Sequence, residues 1–144
     1  MSPKKVYFFI LLLSASAVLL IFLAPYSAHK GHSNFSHQLY HAFSSLCHQR
    51  PERTFFLWGY PLAVCARCTF FYIGFLVGMI LYPLRFEKAI SFKIVVVFGI
   101  PVIVDGISQL LFRESTNELR ALTGFLLGII LPFYVMPKFF DSLK

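Results

Sequence analysis

Apolar runs of about the length of a membrane-crossing helix recur four times along the chain, each with at most one charged residue. They cover residues 6–24, 62–84, 94–112 and 120–136. An α-helix rises 1.5 Å per residue, so about 20 apolar residues cross a hydrocarbon core of roughly 30 Å. The pattern predicts an all-α, polytopic integral membrane protein whose four transmembrane helices belong to a single domain, residues 1–144.

The first apolar run has a second interpretation, as a cleaved signal peptide that follows Lys4 and Lys5. Residues 6–24 exceed the apolar stretch of about 7–15 residues in such a peptide, and Tyr26-Ser27-Ala28 is a poor cleavage site. We therefore expect a retained first helix.

The composition excludes an ordinary soluble domain. The chain is 58% hydrophobic and 13% charged, whereas soluble domains carry roughly 25% charged residues. A net charge of +7 would favour nucleic acid as the partner of a soluble protein. Here the lysines and arginines stand at the ends of the apolar runs, where they anchor helices at an anionic membrane surface. The predicted partner is the lipid bilayer, and not nucleic acid.

The basic residues divide almost evenly between the two sides of the membrane. With a cytoplasmic N-terminus, that side holds seven of them: Lys4, Lys5, Arg85, Lys88, Lys93, Lys138 and Lys144. The other side holds six: Lys30, Arg50, Arg53, Arg67, Arg113 and Arg120. Basic residues in short connections between spans have the largest influence on orientation, and the connection formed by residues 85–93 is short and basic. We expect a multi-pass protein of the cell membrane with cytoplasmic termini.

Two glycine pairs, Gly74/Gly78 and Gly124/Gly128, each place two glycines on one face of a predicted helix. Such faces allow two helix backbones to approach closely inside a membrane. The sequence predicts that the second and fourth spans pack through them.

Every histidine and cysteine of the chain lies within residues 29–68. Within residues 35–48, apolar residues recur at helical spacing: Phe35, Leu39, Phe43 and Leu46. Polar residues occupy the opposite face: His37, His41, Ser44 and His48. This periodicity predicts an amphipathic helix between the first two spans, lying on the membrane or against the bundle.

The three cysteines and a neighbouring histidine have the spacing of a metal site. Cys65 and Cys68 form a C-x-x-C pair, and Cys47-His48 precedes it. Four ligands of this kind suit zinc, which we predict as the cofactor. Alternatively, Cys65 and Cys68 cycle between thiols and a disulfide in a membrane thiol–disulfide oxidoreductase, with thiolates stabilised by a helix N-terminus and Arg67. Buried, inert cysteines are the third possibility.

A polar stripe in the last two spans predicts a separate intramembrane ligand site, formed by Asp105, Gln109, Asn117 and Arg120. A carboxylate near the middle of a span needs a partner or a proton, and Arg120 is the predicted counter-charge for Asp105 or for an anionic headgroup. A lipid-headgroup enzyme or a transporter subunit using Asp105, Arg113 and Arg120 is a further alternative. Because the chain is small for a transporter, that alternative requires a homo-oligomer.

Two stretches resemble a family of small prokaryotic membrane proteins known only as a domain of unknown function. The first joins Cys47-His48-Gln49 to Cys65-x-Arg67-Cys68-Thr69, and the second contains Asp105-Gly106-x-x-Gln109. The resemblance implies a multi-span protein with a polar face shared by the third and fourth spans, and it implies no particular activity. Phe70 stands where that family tends to have glycine, which suggests a narrower approach to the cysteine pair.

Overall fold

In the part of the chain that the structure describes, four helices are long and apolar enough to cross a membrane. The computed structural model describes residues 3–84, 89–111 and 115–142. Within them, five α-helices follow one another: α1 (Pro3–His29), α2 (Ser33–Ser44), α3 (Ala66–Leu81), α4 (Phe92–Leu111) and α5 (Asn117–Ser142). The predicted all-α membrane architecture is confirmed. Four residues used in the charge and ligand predictions, Arg85, Lys88, Arg113 and Lys144, lie outside the described residues.

The helix ends differ from the predicted ones in both directions. Helix α3 begins at Ala66 rather than 62, because residues before it form a hairpin of two short strands, β1 (Phe56–Leu57) and β2 (Tyr60–Pro61). Helix α5 is longer than predicted and extends to Ser142. Hydropathy marks the part of a helix that crosses lipid, whereas the helix itself continues into the interface.

Helix α1 continues through Pro25 and ends four residues later, at His29. A proline has no N–H, so the carbonyl four residues earlier loses its helical donor. That carbonyl belongs to Ile21, and the backbone N–H of Ala63 donates to it at 3.5 Å. The hydroxyl of Ser36 donates to the Ala24 carbonyl at 2.8 Å. The carbonyl that the proline frees therefore provides a docking point for the chain before α3, and the Ser36 bond attaches α2 to the same helix.

Helix α2 packs on the end of α1 and is shorter than predicted. Leu39 and Phe43 are buried with Ile21 in the core at this end of the molecule, as the periodicity predicts. Phe35 and Leu46, assigned to the same face, are exposed. Leu46 and His48 lie beyond the end of α2 at Ser44, so they follow a different backbone path from the predicted helix.

Helices α3 and α5 run parallel and pack through the two glycine pairs. A Cβ at Gly74 or Gly78 would overlap the backbone of α5, at Phe125 and Ile129 respectively. A Cβ at Gly124 would overlap the carbonyl of Arg67. The predicted contact between the second and fourth spans is confirmed. It brings the first turns of both helices together at one end of the bundle.

Candidate functional site

The sulfur atoms of Cys47, Cys65 and Cys68 lie within 4.8 Å of one another. Cys47 is buried, whereas Cys65 and Cys68 are partly exposed. In a tetrahedral zinc site, sulfurs about 2.3 Å from the metal lie roughly 3.8 Å apart. The three thiols are therefore close enough to ligate one ion.

Local backbone structure explains how three cysteines from two segments meet. Cys65 is the N-cap residue of α3 and Cys68 lies in its first turn, so both sulfurs face the start of the helix. The Cys65 N–H donates to the Cys47 sulfur at 3.2 Å. Gln49 has a left-handed backbone, with φ of 48°, and its side-chain amide donates to the carbonyls of Tyr40 and Ala63 at 2.6 and 2.8 Å. Gln49 thus fixes the segment that carries Cys47.

The thiols influence one another's ionisation. Hydrogen bonds from Cys65, and to a smaller extent from Cys68, lower the pKa of the Cys47 thiol because they stabilise its thiolate. The hydrogen bond to Cys47 in turn raises the pKa of the Cys65 thiol. The cluster therefore accommodates one thiolate readily and opposes further ionisation, an opposition that a bound cation would relieve.

Asp105 is paired with Arg67. It is 4% exposed, and its carboxylate accepts a charge-assisted hydrogen bond from Arg67 Nη2. The predicted counter-charge, Arg120, is therefore wrong. Arg67 belongs to the first turn of α3, so Asp105 lies toward the cysteine end of the bundle. The start of α3 packs against the last two spans, an arrangement that spacing along the sequence does not reveal.

Gln109 connects this ion pair to Arg120. Its side-chain N–H donates to the Asp105 carboxylate at 2.9 Å, and its carbonyl accepts from Arg120 at 3.2 Å. Arg120 is 4% exposed and also donates to Asn117 at 3.0 Å. The four residues of the predicted polar stripe thus form one hydrogen-bonded network, to which the structure adds Arg67.

The cysteines and the polar network share one cavity. This cysteine cavity, of about 250 Å³, is lined by all three cysteines, by Leu46, His48 and Gln109, and by Arg50, Arg53, Arg67 and Arg120. The sequence predicted two separate sites, one for metal and one for ligand. They adjoin because the parallel packing of α3 and α5 places Cys68 and Arg120 at the same end of the bundle.

His48 lies apart from the sulfur cluster. It is exposed and lines the cysteine cavity, but the group of mutually close ligand atoms contains only the three cysteines among the residues that the structure describes. Phe70 makes an edge-to-face contact with Phe55 at 5.9 Å between ring centroids and does not line the cysteine cavity. It therefore does not narrow the approach to the cysteines, contrary to the expectation from the sequence.

Sequence reasoning missed two residues of the site, Arg50 and Arg53. Both were counted only as loop charges, yet both line the cysteine cavity and an adjoining outer cavity of about 500 Å³. The one available signal that they belong to the site was their proximity in sequence to Cys47-His48. The hydroxyl of Thr54 donates to the Arg50 carbonyl at 2.9 Å, and Asn117 donates to the Thr54 carbonyl at 3.3 Å. These bonds attach residues 50–54, the arginine segment, to α5.

A family model described as "Predicted membrane protein (DUF2085)" matches residues 47–134, which is more than half of the chain. The chain belongs to the DUF2085 family. This finding confirms the resemblance to an uncharacterised membrane protein family. The DUF2085 segment begins at Cys47 and contains all the cysteines, Asp105, Gln109 and Arg120, whereas α1 and α2 precede it.

Two relatives are similar to this chain, and the first of them matches nearly its whole length. An uncharacterised protein of Methanocaldococcus jannaschii is 46% identical over 151 aligned residues, covering 97% of this chain and 96% of the relative. An uncharacterised protein of Methanothermobacter thermautotrophicus is 38% identical over 91 residues, covering 60% of this chain and 81% of the relative. No solved structure matches the chain.

Proposed function

We propose that this membrane protein binds one thiophilic metal ion, zinc foremost, through Cys47, Cys65 and Cys68. The observation that supports this proposal is the grouping of the three sulfurs within 4.8 Å. Thiolates are preferred ligands of zinc, and three protein ligands leave a fourth position open. His48, on the lining of the same cavity, supplies the fourth ligand after a rotation of its side chain.

The metal has a structural role in this proposal. Cys47 belongs to the segment that follows α2, whereas Cys65 and Cys68 belong to the start of α3. An ion shared by the three would fix α2 and the arginine segment to the membrane bundle. Gln109 and Arg120 form part of the wall of a polar ligand site beside the metal, and Asp105 and Asn117 orient them through hydrogen bonds.

The experiment is a joint measurement of metal and thiols on the full chain, purified in detergent with an affinity tag that lacks histidine. We expect one zinc per chain by elemental mass spectrometry, and thiols that react with a disulfide reagent only after the metal is removed. Cys65→Ser should lose most of the metal. His48→Ala should weaken binding, whereas the exposed His41→Ala is the matched control and should retain the metal.

The same measurement tests the alternative function, a thiol–disulfide oxidoreductase. A reducible bond between Cys65 and Cys68 in a protein without metal would replace the metal proposal by the redox one. The position of Cys47 favours the metal. A C-x-x-C redox pair uses only two sulfurs, whereas a metal ion would use all three of the sulfurs that lie at ligating distance.

We also propose that the protein lies in the cell membrane with cytoplasmic termini. Arg67 and Arg120 belong to the polar network and not to a loop. Removing them from the count of loop charges leaves the cysteine side with fewer basic residues than the terminal side. By the positive-inside rule, this supports a cysteine side that faces outward.

A further inference from the structure

An apolar cavity of about 440 Å³ lies at the opposite end of the bundle from the cysteines, where α1 begins and where α3 and α5 end. Six residues line this terminal cavity: Lys4, Tyr7, Phe8, Tyr82, Pro83 and Phe140. Among the described residues that line it, Lys4 is the only charged one. We propose that the terminal cavity binds an anionic phospholipid, with one acyl chain between the rings and the phosphate paired with Lys4. This site does not depend on a metal at the cysteines.

A specific contact between α1 and the end of α3 builds the cavity. Pro83 belongs to the 3₁₀ turn Tyr82–Leu84 that follows α3, and it has no N–H. The carbonyl of Met79, four residues earlier, therefore lacks the donor that a continuing helix would supply. The hydroxyl of Tyr7 donates to that carbonyl at 2.7 Å. This bond holds the Tyr7 ring against the end of α3 and fixes one wall of the cavity.

Aromatic rings from three segments of the chain form the walls. Tyr7 stacks on Tyr82 with 6.1 Å between ring centroids, and Tyr82 meets Phe140 edge to face at 6.2 Å. Ligand pockets of roughly 300–1,000 Å³ are lined in this way, mostly by apolar and aromatic side chains with a few polar groups. Phe8 is 59% exposed, so the wall continues onto the surface that faces lipid. An acyl chain can therefore enter from the side, and van der Waals contacts with the rings hold it.

Lys4 gives the cavity its preference for an anionic headgroup. It is exposed, and it has no hydrogen bond or ion pair among the described residues. The first turn of α1 contains no acidic residue, and Asp141, whose charge acts on Tyr82, does not line the cavity. A lysine ammonium binds phosphate as a point charge, and basic residues beside a span attract anionic lipids. A phospholipid with a net negative charge matches both the apolar walls and this cation.

The test uses the full chain, purified in a non-ionic detergent and freed of lipid. Native mass spectrometry counts the bound lipid during titration with phosphatidylglycerol or with phosphatidylcholine of the same acyl chains, at low ionic strength. We expect one saturable phosphatidylglycerol per chain. Its Kd should be about five-fold weaker in Lys4→Gln, which is the effect of one lysine at an anionic surface, whereas the Kd of phosphatidylcholine should not change.

Lys93→Gln is the matched control for this charge. Lys93 is exposed in the first turn of α4, and its neighbour Phe92 contacts Tyr134 of α5 at 5.6 Å between ring centroids. It therefore lies toward the same end of the bundle, but it does not line the terminal cavity. The Kd of phosphatidylglycerol should be unchanged in this variant.

A tryptophan reporter tests whether an acyl chain occupies the cavity. Trp58, the only tryptophan of the sequence, is replaced by phenylalanine, and Phe8→Trp places the reporter on the cavity wall. Phosphatidylglycerol brominated in its acyl chains should quench this reporter at one lipid per chain. Ile100→Trp in the same background is the control, because Ile100 is 49% exposed on α4 and does not line the cavity. It should show little quenching at that ratio.

Equal affinity for the two phospholipids, an unchanged Kd in Lys4→Gln or an equal loss in Lys93→Gln would overturn the proposal. Equal quenching of the two reporters would overturn it as well. Glycerol 3-phosphate carries the phosphate without acyl chains and should not displace the lipid, whereas displacement at similar concentration would remove the role of the cavity. Oleate should bind more weakly than phosphatidylglycerol, and equal binding would reject a phospholipid as the occupant. If Lys4→Gln does not fold, the two reporters decide the matter, since both retain Lys4.

Discussion

The guanidinium of Arg67, in the first turn of α3, is paired with the carboxylate of Asp105 on α4. The side chain of Arg67 is 26% exposed and that of Asp105 is 3% exposed, so the pair lies at the edge of the buried region. It joins a residue of the C-x-x-C segment to the polar network of the last two spans. Any change to one partner therefore affects both parts of the site.

Replacing one member of this pair should cost more than replacing both. Asp105→Leu leaves the Arg67 guanidinium without its carboxylate, and we expect a loss of about 3 kcal/mol in the free energy of unfolding. The double variant Arg67→Met/Asp105→Leu removes both charges and should recover at least about 1 kcal/mol of that loss. Reversible unfolding in detergent gives the free energy of unfolding of the wild type, the two single variants and the double variant, which together form a double-mutant cycle. Ser108→Ala, one turn from Asp105, is the control, and strictly additive effects would rule out the pairing.

Removing the metal should destabilise the protein if zinc joins Cys47 to the start of α3. A ligand present at a thousand times its Kd stabilises the folded state by roughly 4 kcal/mol, so a strong chelator should lower the unfolding midpoint. Zinc should restore the midpoint, and magnesium should not. Cys47→Ser serves as the reference, since it should already be destabilised and should not respond to the chelator. An identical response in both proteins would mean that the chelator acts elsewhere.

The glycine contacts between α3 and α5 should tolerate no side chain. Gly124→Ala places a methyl group against the Arg67 carbonyl, and Gly78→Ala places one against the backbone at Ile129. We expect each to lower the free energy of unfolding by at least about 2 kcal/mol. A Cβ at Gly99 has no heavy atom within 4 Å, so Gly99→Ala should be neutral or stabilising by up to about 1 kcal/mol. Equal losses at all three positions would argue against this packing.

Trp58 is the single tryptophan of the chain and provides a reporter of membrane depth. It has a left-handed backbone at the tip of the β1–β2 hairpin, between the exposed rings of Phe56 and Tyr60. We expect the hairpin to lie at the headgroup level, where amphipathic rings are stable. In liposomes, lipids brominated near the headgroup should quench Trp58 more than lipids brominated deep in the acyl chain.

A second tryptophan variant calibrates this depth measurement. Trp58→Phe combined with Ile100→Trp places the reporter near the middle of α4, at a position that is 49% exposed. Deep bromines should quench this reporter best. Quenching of Trp58 by aqueous iodide, with no quenching by either brominated lipid, would place the hairpin in water instead.

The orientation of the protein in the membrane is tested by inserting a tag at the turn between α1 and α2. Gly31 has φ of 83° and open space around it, so a short tag there should be tolerated. With cytoplasmic termini, a tag at Gly31 should be accessible from outside the cell and a reporter after Lys144 should be active inside. The reverse pattern would place the cysteines in a reducing compartment and would make a disulfide unlikely to form there.

The sequence alone predicted the number of spans, the contact between α3 and α5, and the proximity of Cys65 to Cys68. These features are local: bilayer thickness sets the length of an apolar run, and helical periodicity places Gly74 and Gly78 on one face. The sequence also predicted that Cys47 joins this pair, and the tertiary structure brings the three sulfurs within 4.8 Å of one another. Only the tertiary structure decided that Arg67 rather than Arg120 pairs with Asp105, and that the cysteines and the polar network share a cavity. The chain has several arginines that would satisfy one carboxylate equally well. Which of them does so depends on which helix ends meet, and that is fixed by packing between segments far apart in sequence.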